Sequence, residues 1–107
     1  MYTHLMDTIE CNFEKYLHFL CNICSFEARA KDKDTIDRMV DCVAVFAQSE
    51  GFQTTRTAMA NCGDFLCIEM NAGAEKGCSF MAHTDTVHEK GVFGEKPVTR
   101  LQDRIIA

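Results

Sequence analysis

The chain has 107 residues, 47% hydrophobic and 25% charged, the composition of an ordinary globular domain. That length suits one small domain or part of a larger one, and such a domain buries only about two-thirds of its unfolded surface. With 11 basic against 16 acidic residues the net charge is −5, and no basic cluster interleaves with aromatics, which argues against a nucleic-acid partner.

No apolar run approaches the ~20 residues needed to span a bilayer, so no membrane partner is expected. Residues 1–10 hold Asp7 and Glu10 and lack a basic n-region, which is not the pattern of a secretory signal. The seven cysteines are odd in number and scattered. They read as reduced thiols packed as small hydrophobes, in a cytoplasmic chain.

From Thr3 to about Cys24, apolar residues recur at Leu5, Ile9, Phe13, Leu17, Leu20 and Cys24. Steps of three and four put them on one face, which predicts an amphipathic helix capped by Thr3, with Asp7 and Glu10 near its positive end. His4 and His18 fall on this helix and are expected to be exposed. Cys21-x-x-Cys24 invites a redox or zinc reading. A redox pair, however, sits at a helix N-terminus, where the dipole lowers the thiol pKa, and this pair falls in a last turn. A zinc site needs a second pair, and Cys62 with Cys67 is poorly spaced for one.

Ser25 to Lys33 reads as a solvated connection. Asp34 looks like the N-cap of a second helix, with Asp37 in a capping-box-like position. Ile36, Met39, Val40, Val43, Phe46 and Ala47 follow at helical spacing, and Gly51 stops the run. Phe52–Thr57 is β-prone, and a turn at Asn61-Cys62-Gly63-Asp64 leads to a second strand, Phe65–Met70. After a polar turn, Cys78-Ser79-Phe80-Met81-Ala82 reads as a buried strand, and Val98–Ile106 as one more. The expected fold class is α/β, with two N-terminal helices packed on a mixed β-sheet and residues 1–107 forming one unit.

The third strand runs into Met81-Ala82-His83-Thr84-Asp85-Thr86-Val87 and then a loop with Gly91 and Gly94. Strand alternation would put His83 and Asp85 on one face, about 7 Å apart. An imidazole beside a carboxylate at a strand end is a start for a metal or acid/base site. It is equally the pattern of a hydrogen-bonded histidine with only a structural role.

His83-Thr84-Asp85-Thr86-Val87, with the apolar run before it and Gly91-Val92-Phe93-Gly94 after it, resembles the first metal motif of the co-catalytic di-zinc metallopeptidases. That group takes in aminoacylase, acetylornithine deacetylase, succinyl-diaminopimelate desuccinylase and glutamate carboxypeptidase. The resemblance extends from about Phe13 to Ala107. Ile23-Cys24-Ser25 stands where Ile-Pro-Ser is common, Gly51-Phe52 at the step into a strand, Asn61-Cys62-Gly63-Asp64 at a polar turn, and Asp103-Arg104-Ile105-Ile106 before the second metal motif. Cys24 replaces a proline and Ala82 a frequent glycine.

The resemblance implies that His83 is a zinc ligand and Asp85 the catalytic-site carboxylate that orients and polarises it, without binding metal. His88 and Glu89 correspond to no ligand of the family. Two zinc ions in a complete site would polarise the scissile carbonyl and activate a shared water. The bridging aspartate, the glutamate pair and the last histidine of the family would lie beyond Ala107. The chain would then be an incomplete N-terminal part of a catalytic domain, inactive alone. Its parent would hydrolyse peptides or N-acyl amino acids, and would be a homodimer through the family's dimerisation domain. The alternative is a non-catalytic α/β domain that binds a ligand or partner and in which His83 is structural.

Overall fold

The computed structural model describes residues 1–71 and 73–107. Two helices, α1 (Tyr2–Cys24) and α2 (Lys33–Ser49), precede four strands, β1 (Gln53–Thr57), β2 (Phe65–Glu69), β3 (Thr99–Arg100) and β4 (Ile105–Ile106). The strands form two separate antiparallel pairs, β1 with β2 and β3 with β4, in a mixed α/β architecture. No helix among the described residues is long and apolar enough to cross a membrane. The radius of gyration is 15.9 Å, above the ~13 Å of a compact domain near this size, so the parts are openly arranged.

The stripe along α1 has the expected period but little to pack against. Leu5, Ile9, Phe13 and Leu20 stay exposed, and no α1 residue is buried. Contact comes near the C-terminal half, where the Phe19 ring stacks on Phe46 of α2 at 3.9 Å and Lys15 pairs with Glu50 at 2.8 Å. Met1, not Thr3, is the N-cap. Thr3 is already helical, so its hydroxyl cannot reach forward to orphan amides, and Asp7 lies beyond the first turn.

α2 starts one residue before Asp34. Asp32 is the N-cap, its carboxylate accepting from Thr35 N at 3.3 Å, while Asp34 sits in the first turn, where the helix dipole favours its charge. Asp37, instead of completing a capping box, accepts from Asp64 N at 2.8 Å and pairs with Lys33 one turn back. The helix ends as the glycine demands. Gly51 takes φ 85°, and its N–H and that of Phe52 return to the carbonyls of Gln48 and Ala47 in a Schellman closure.

Ile36, Met39, Val40 and Ala47 are buried on α2, and Ala28 joins Ile36 and Val40 in a small core on which Leu66 of β2 packs. β1 and β2 pair from Gln53↔Glu69 to Thr57↔Phe65. Their turn is fixed by Asp64, which accepts from Lys33, from Arg56 Nε at 2.7 Å and from Met59 N at 3.0 Å. Asp41 also pairs with Arg56.

These donors, Lys33 foremost, hold the Asp64 carboxyl well below the usual carboxylate range. A depressed folded-state pKa means stability that is present above the unfolded value, near 3.9, and is lost as pH falls below it. Urea midpoints should therefore drop between about pH 4 and pH 2. Asp64→Asn should lower the midpoint at pH 7 and flatten that acid limb. An equally steep limb in the variant would assign the acid loss to other carboxylates.

Three expectations are corrected. The run Cys78–Ala82 is not a strand: no neighbouring chain segment among the described residues hydrogen-bonds to it, and Phe80 and Met81 stand 91% and 93% exposed. The single mixed sheet is accordingly replaced by two two-stranded antiparallel sheets, and Val98–Ile106 bends into the β3–β4 hairpin, closed by Leu101 N to Arg104 O at 2.8 Å. The cysteines are all free, but none is buried, and Cys11, Cys67 and Cys78 are exposed. They are not core residues, because the core is too small to reach them.

Candidate functional site

His83 and Asp85 lie on an irregular segment rather than at a strand end. Their side chains nevertheless meet. His83 Nδ1 is 2.9 Å from the Asp85 carbonyl and 3.2 Å from Asp85 Oδ1. Both partners can only accept, so Nδ1 carries the hydrogen and Nε2 keeps its lone pair. The imidazole is 78% exposed and Asp85 38%, so Nε2 belongs to an accessible ring. The pairing is made on a segment that forms no strand.

The segment is pinned at its C-terminal side. Thr86 N donates to the Ala28 carbonyl at 2.6 Å, and Gly91 N donates to Glu27 Oε2 at 3.1 Å. Arg29 pairs with Glu89, and the Phe93 and His88 rings meet edge to face with centroids 5.1 Å apart. Gly91 and Gly94 take positive φ, 86° and 79°, where a side chain would be strained, and Gly94 N closes the turn onto the Gly91 carbonyl at 3.0 Å. His88 and Glu89 are thus fasteners of the loop.

Two clefts border His83, and Asp85 lines the first of them. A mainly apolar one of about 500 Å³ lies between α2, β2 and the segment, with Ile36, Val40, Leu66, His83 and Asp85 in its wall. A wider one of about 1170 Å³ separates β2 from residues 76–83 and also reaches His83. The histidine therefore stands where both clefts meet.

As donors, His83 and Asp85 fit one corner of a zinc site. The imidazole offers Nε2, and the carboxylate fixes its other N–H, the usual support of a metal-bound histidine. A structural or catalytic zinc takes three or four protein ligands. Among the described residues no three His, Cys, Asp or Glu side chains gather closely enough to hold a metal ion. Cys21 and Cys24 fall in the last turn of α1, and burial, followed by the neighbouring Cys21, pushes the Cys24 thiol up, away from the reactive thiolate.

Comparison with protein-family models, curated proteins and solved structures finds no match. Reading along the sequence singled out His83 and Asp85 but missed Glu27, the acid that anchors their loop. Its one signal is a lone charge between Phe26 and Ala28, and nothing local shows that it is buried.

Proposed function

We propose that this chain is the N-terminal part of the catalytic domain of a di-zinc metallopeptidase or amidohydrolase that cleaves peptide or N-acyl amino acid bonds. The observation that carries the reading is the His83–Asp85 pair, with Nδ1–H held by Asp85 and Nε2 left on an exposed ring. In this reading His83 is one zinc ligand, and the others come from residues outside the chain. Zinc bound there would lower the pKa of a coordinated water toward neutrality and polarise the scissile carbonyl. Asp85 keeps His83 in the Nε2-basic tautomer and raises its basicity. The apolar cleft beside the pair offers room for a substrate side chain.

A second reading is a non-catalytic α/β module that binds a ligand or partner. It draws on the shorter of the two contacts, from His83 Nδ1 to the Asp85 backbone carbonyl, which is the geometry of a histidine that holds its own local backbone.

Downstream coding sequence and one assay separate the two. The enzyme reading expects a Gly-rich turn, an aspartate within about a dozen residues and then a Glu-Glu pair, because two zincs need a bridging carboxylate and their water needs a base. The 107-residue chain alone should hydrolyse no dipeptide or N-acyl amino acid, and the extended protein should do so with chelator-sensitive turnover. An extension without those carboxylates, or without activity, would leave the binding module.

A further inference from the structure

The loop after His83 and Asp85 is fastened to the connection between α1 and α2 at a buried acid. Glu27 is 7% exposed. Its Oε2 accepts from Gly91 N, but its Oε1 is buried with no hydrogen-bond partner. Leaving a carboxylate oxygen desolvated and unpaired is unfavourable unless a charge can face it. The group that faces it is His88, whose Nδ1 lies 3.9 Å from Oε1. That is too long for a hydrogen bond and short enough for strong attraction between charges.

The His88 ring is held in place. Nδ1 donates to the Glu89 carbonyl at 3.2 Å, Thr86 Oγ1 donates to the His88 carbonyl at 3.3 Å, and Phe93 packs edge-on. A carbonyl only accepts, so Nδ1 carries the hydrogen in the neutral ring, and an added proton goes to Nε2. The charge is then shared by both ring nitrogens, including Nδ1, the atom 3.9 Å from Oε1. Other charged side chains near this junction have partners of their own. Arg29 pairs with Glu89, and Arg38 of α2 lies over the Phe26 ring at 5.9 Å. Glu27 is left as the carboxylate that answers His88.

We propose that Glu27 and His88 form a proton-operated latch on the loop of residues 83–91. With His88 protonated, its cation meets Oε1 and draws the loop onto the α1–α2 connection. With His88 neutral, the loop is held there by the Thr86 and Gly91 amides and the Arg29–Glu89 pair alone. The latch sits five residues past His83 and works whether or not a metal binds there.

Amide hydrogen exchange at Gly91, corrected for the intrinsic dependence on pH, reads the latch in the chain as it stands. Histidines exchange their proton between about pH 5 and pH 8. Gly91 should be protected up to about fivefold more at the acid end, the factor that corresponds to the ~1 kcal/mol ceiling of a partly exposed ion pair. His88→Gln should abolish that difference. Glu27→Gln keeps an oxygen to accept from Gly91 N and should abolish it too. Protection that is level with pH in the unmodified chain, or a pH difference that survives in His88→Gln, would overturn the proposal.

Discussion

Replacing Gly63 by alanine should destabilise this protein more than a methyl added anywhere else in its turns. A Cβ at residue 63 would stand 2.7 Å from Ile36 Cβ and closer still to Cγ2, inside van der Waals contact. Ile36 cannot give way, since it is 3% exposed and wedged among Ala28, Val40 and Leu66. The φ of Gly63 is not in the left-handed region, so the penalty is one of packing. Overpacking of this kind costs ~1–3 kcal/mol, occasionally more, against a total stability of only ~5–15 kcal/mol. Urea unfolding should show a lower midpoint at unchanged slope.

Ile36→Ala alone should cost ~2–5 kcal/mol through the cavity it leaves. It also removes Cγ2, so the double variant should be more stable than the two losses added together, by ~0.5–3 kcal/mol. Simple additivity would mean that Gly63 and Ile36 do not press on each other.

The second large effect concerns the proposed zinc site, measured in protein that carries the remaining ligands. His83→Ala should remove a direct ligand and with it one of two bound zincs, which metal analysis after gel filtration reads. Asp85→Ala should keep the metal but bind it more loosely and slow turnover, in the ~10–100-fold range typical when the support of a ligand is lost. Two tightly held zincs in His83→Ala would end the assignment of His83 as ligand. Asp85→Asn offers a finer measure, because its amide oxygen still accepts from Nδ1–H while the charge is gone.

Elements that hold themselves together were legible in the sequence. α2 carries its periodic apolar stripe, a nearby aspartate cap and Gly51, and each signal acts within a few residues. Two details of its start differ from the expectation: Asp32 caps the helix in place of Asp34, and Asp37 binds Asp64 N and Lys33 in place of closing a capping box. β1 and β2 were legible for the same reason, being joined by a short turn. Cys78–Ala82 was not: a strand exists only through its hydrogen-bonded neighbour, and its apolar composition cannot reveal whether a neighbour is there. The contact of His83 with Asp85 matches the two-residue spacing, although no strand forms there. Gly63 against Ile36, and Glu27 against Gly91 and His88, join residues far apart in sequence, and local pattern carries no trace of them.

The bidentate pair between Arg100 and Glu14, at 2.8 and 3.0 Å, ties the β3–β4 hairpin to α1 across 86 positions of sequence. Both side chains are at least half exposed, and exposed pairs contribute ~0–1 kcal/mol. Closing a loop of that length costs more entropy than one such pair returns. The expected order of assembly is therefore sequential, with α2, β1 and β2 gathering first and the far hairpin docking last, which pulse-labelled hydrogen exchange during refolding would read. In reverse, that hairpin is the first part to let go. At about 1 M salt the screening length shrinks to ~3 Å, and this tether loosens together with the other exposed ion pairs.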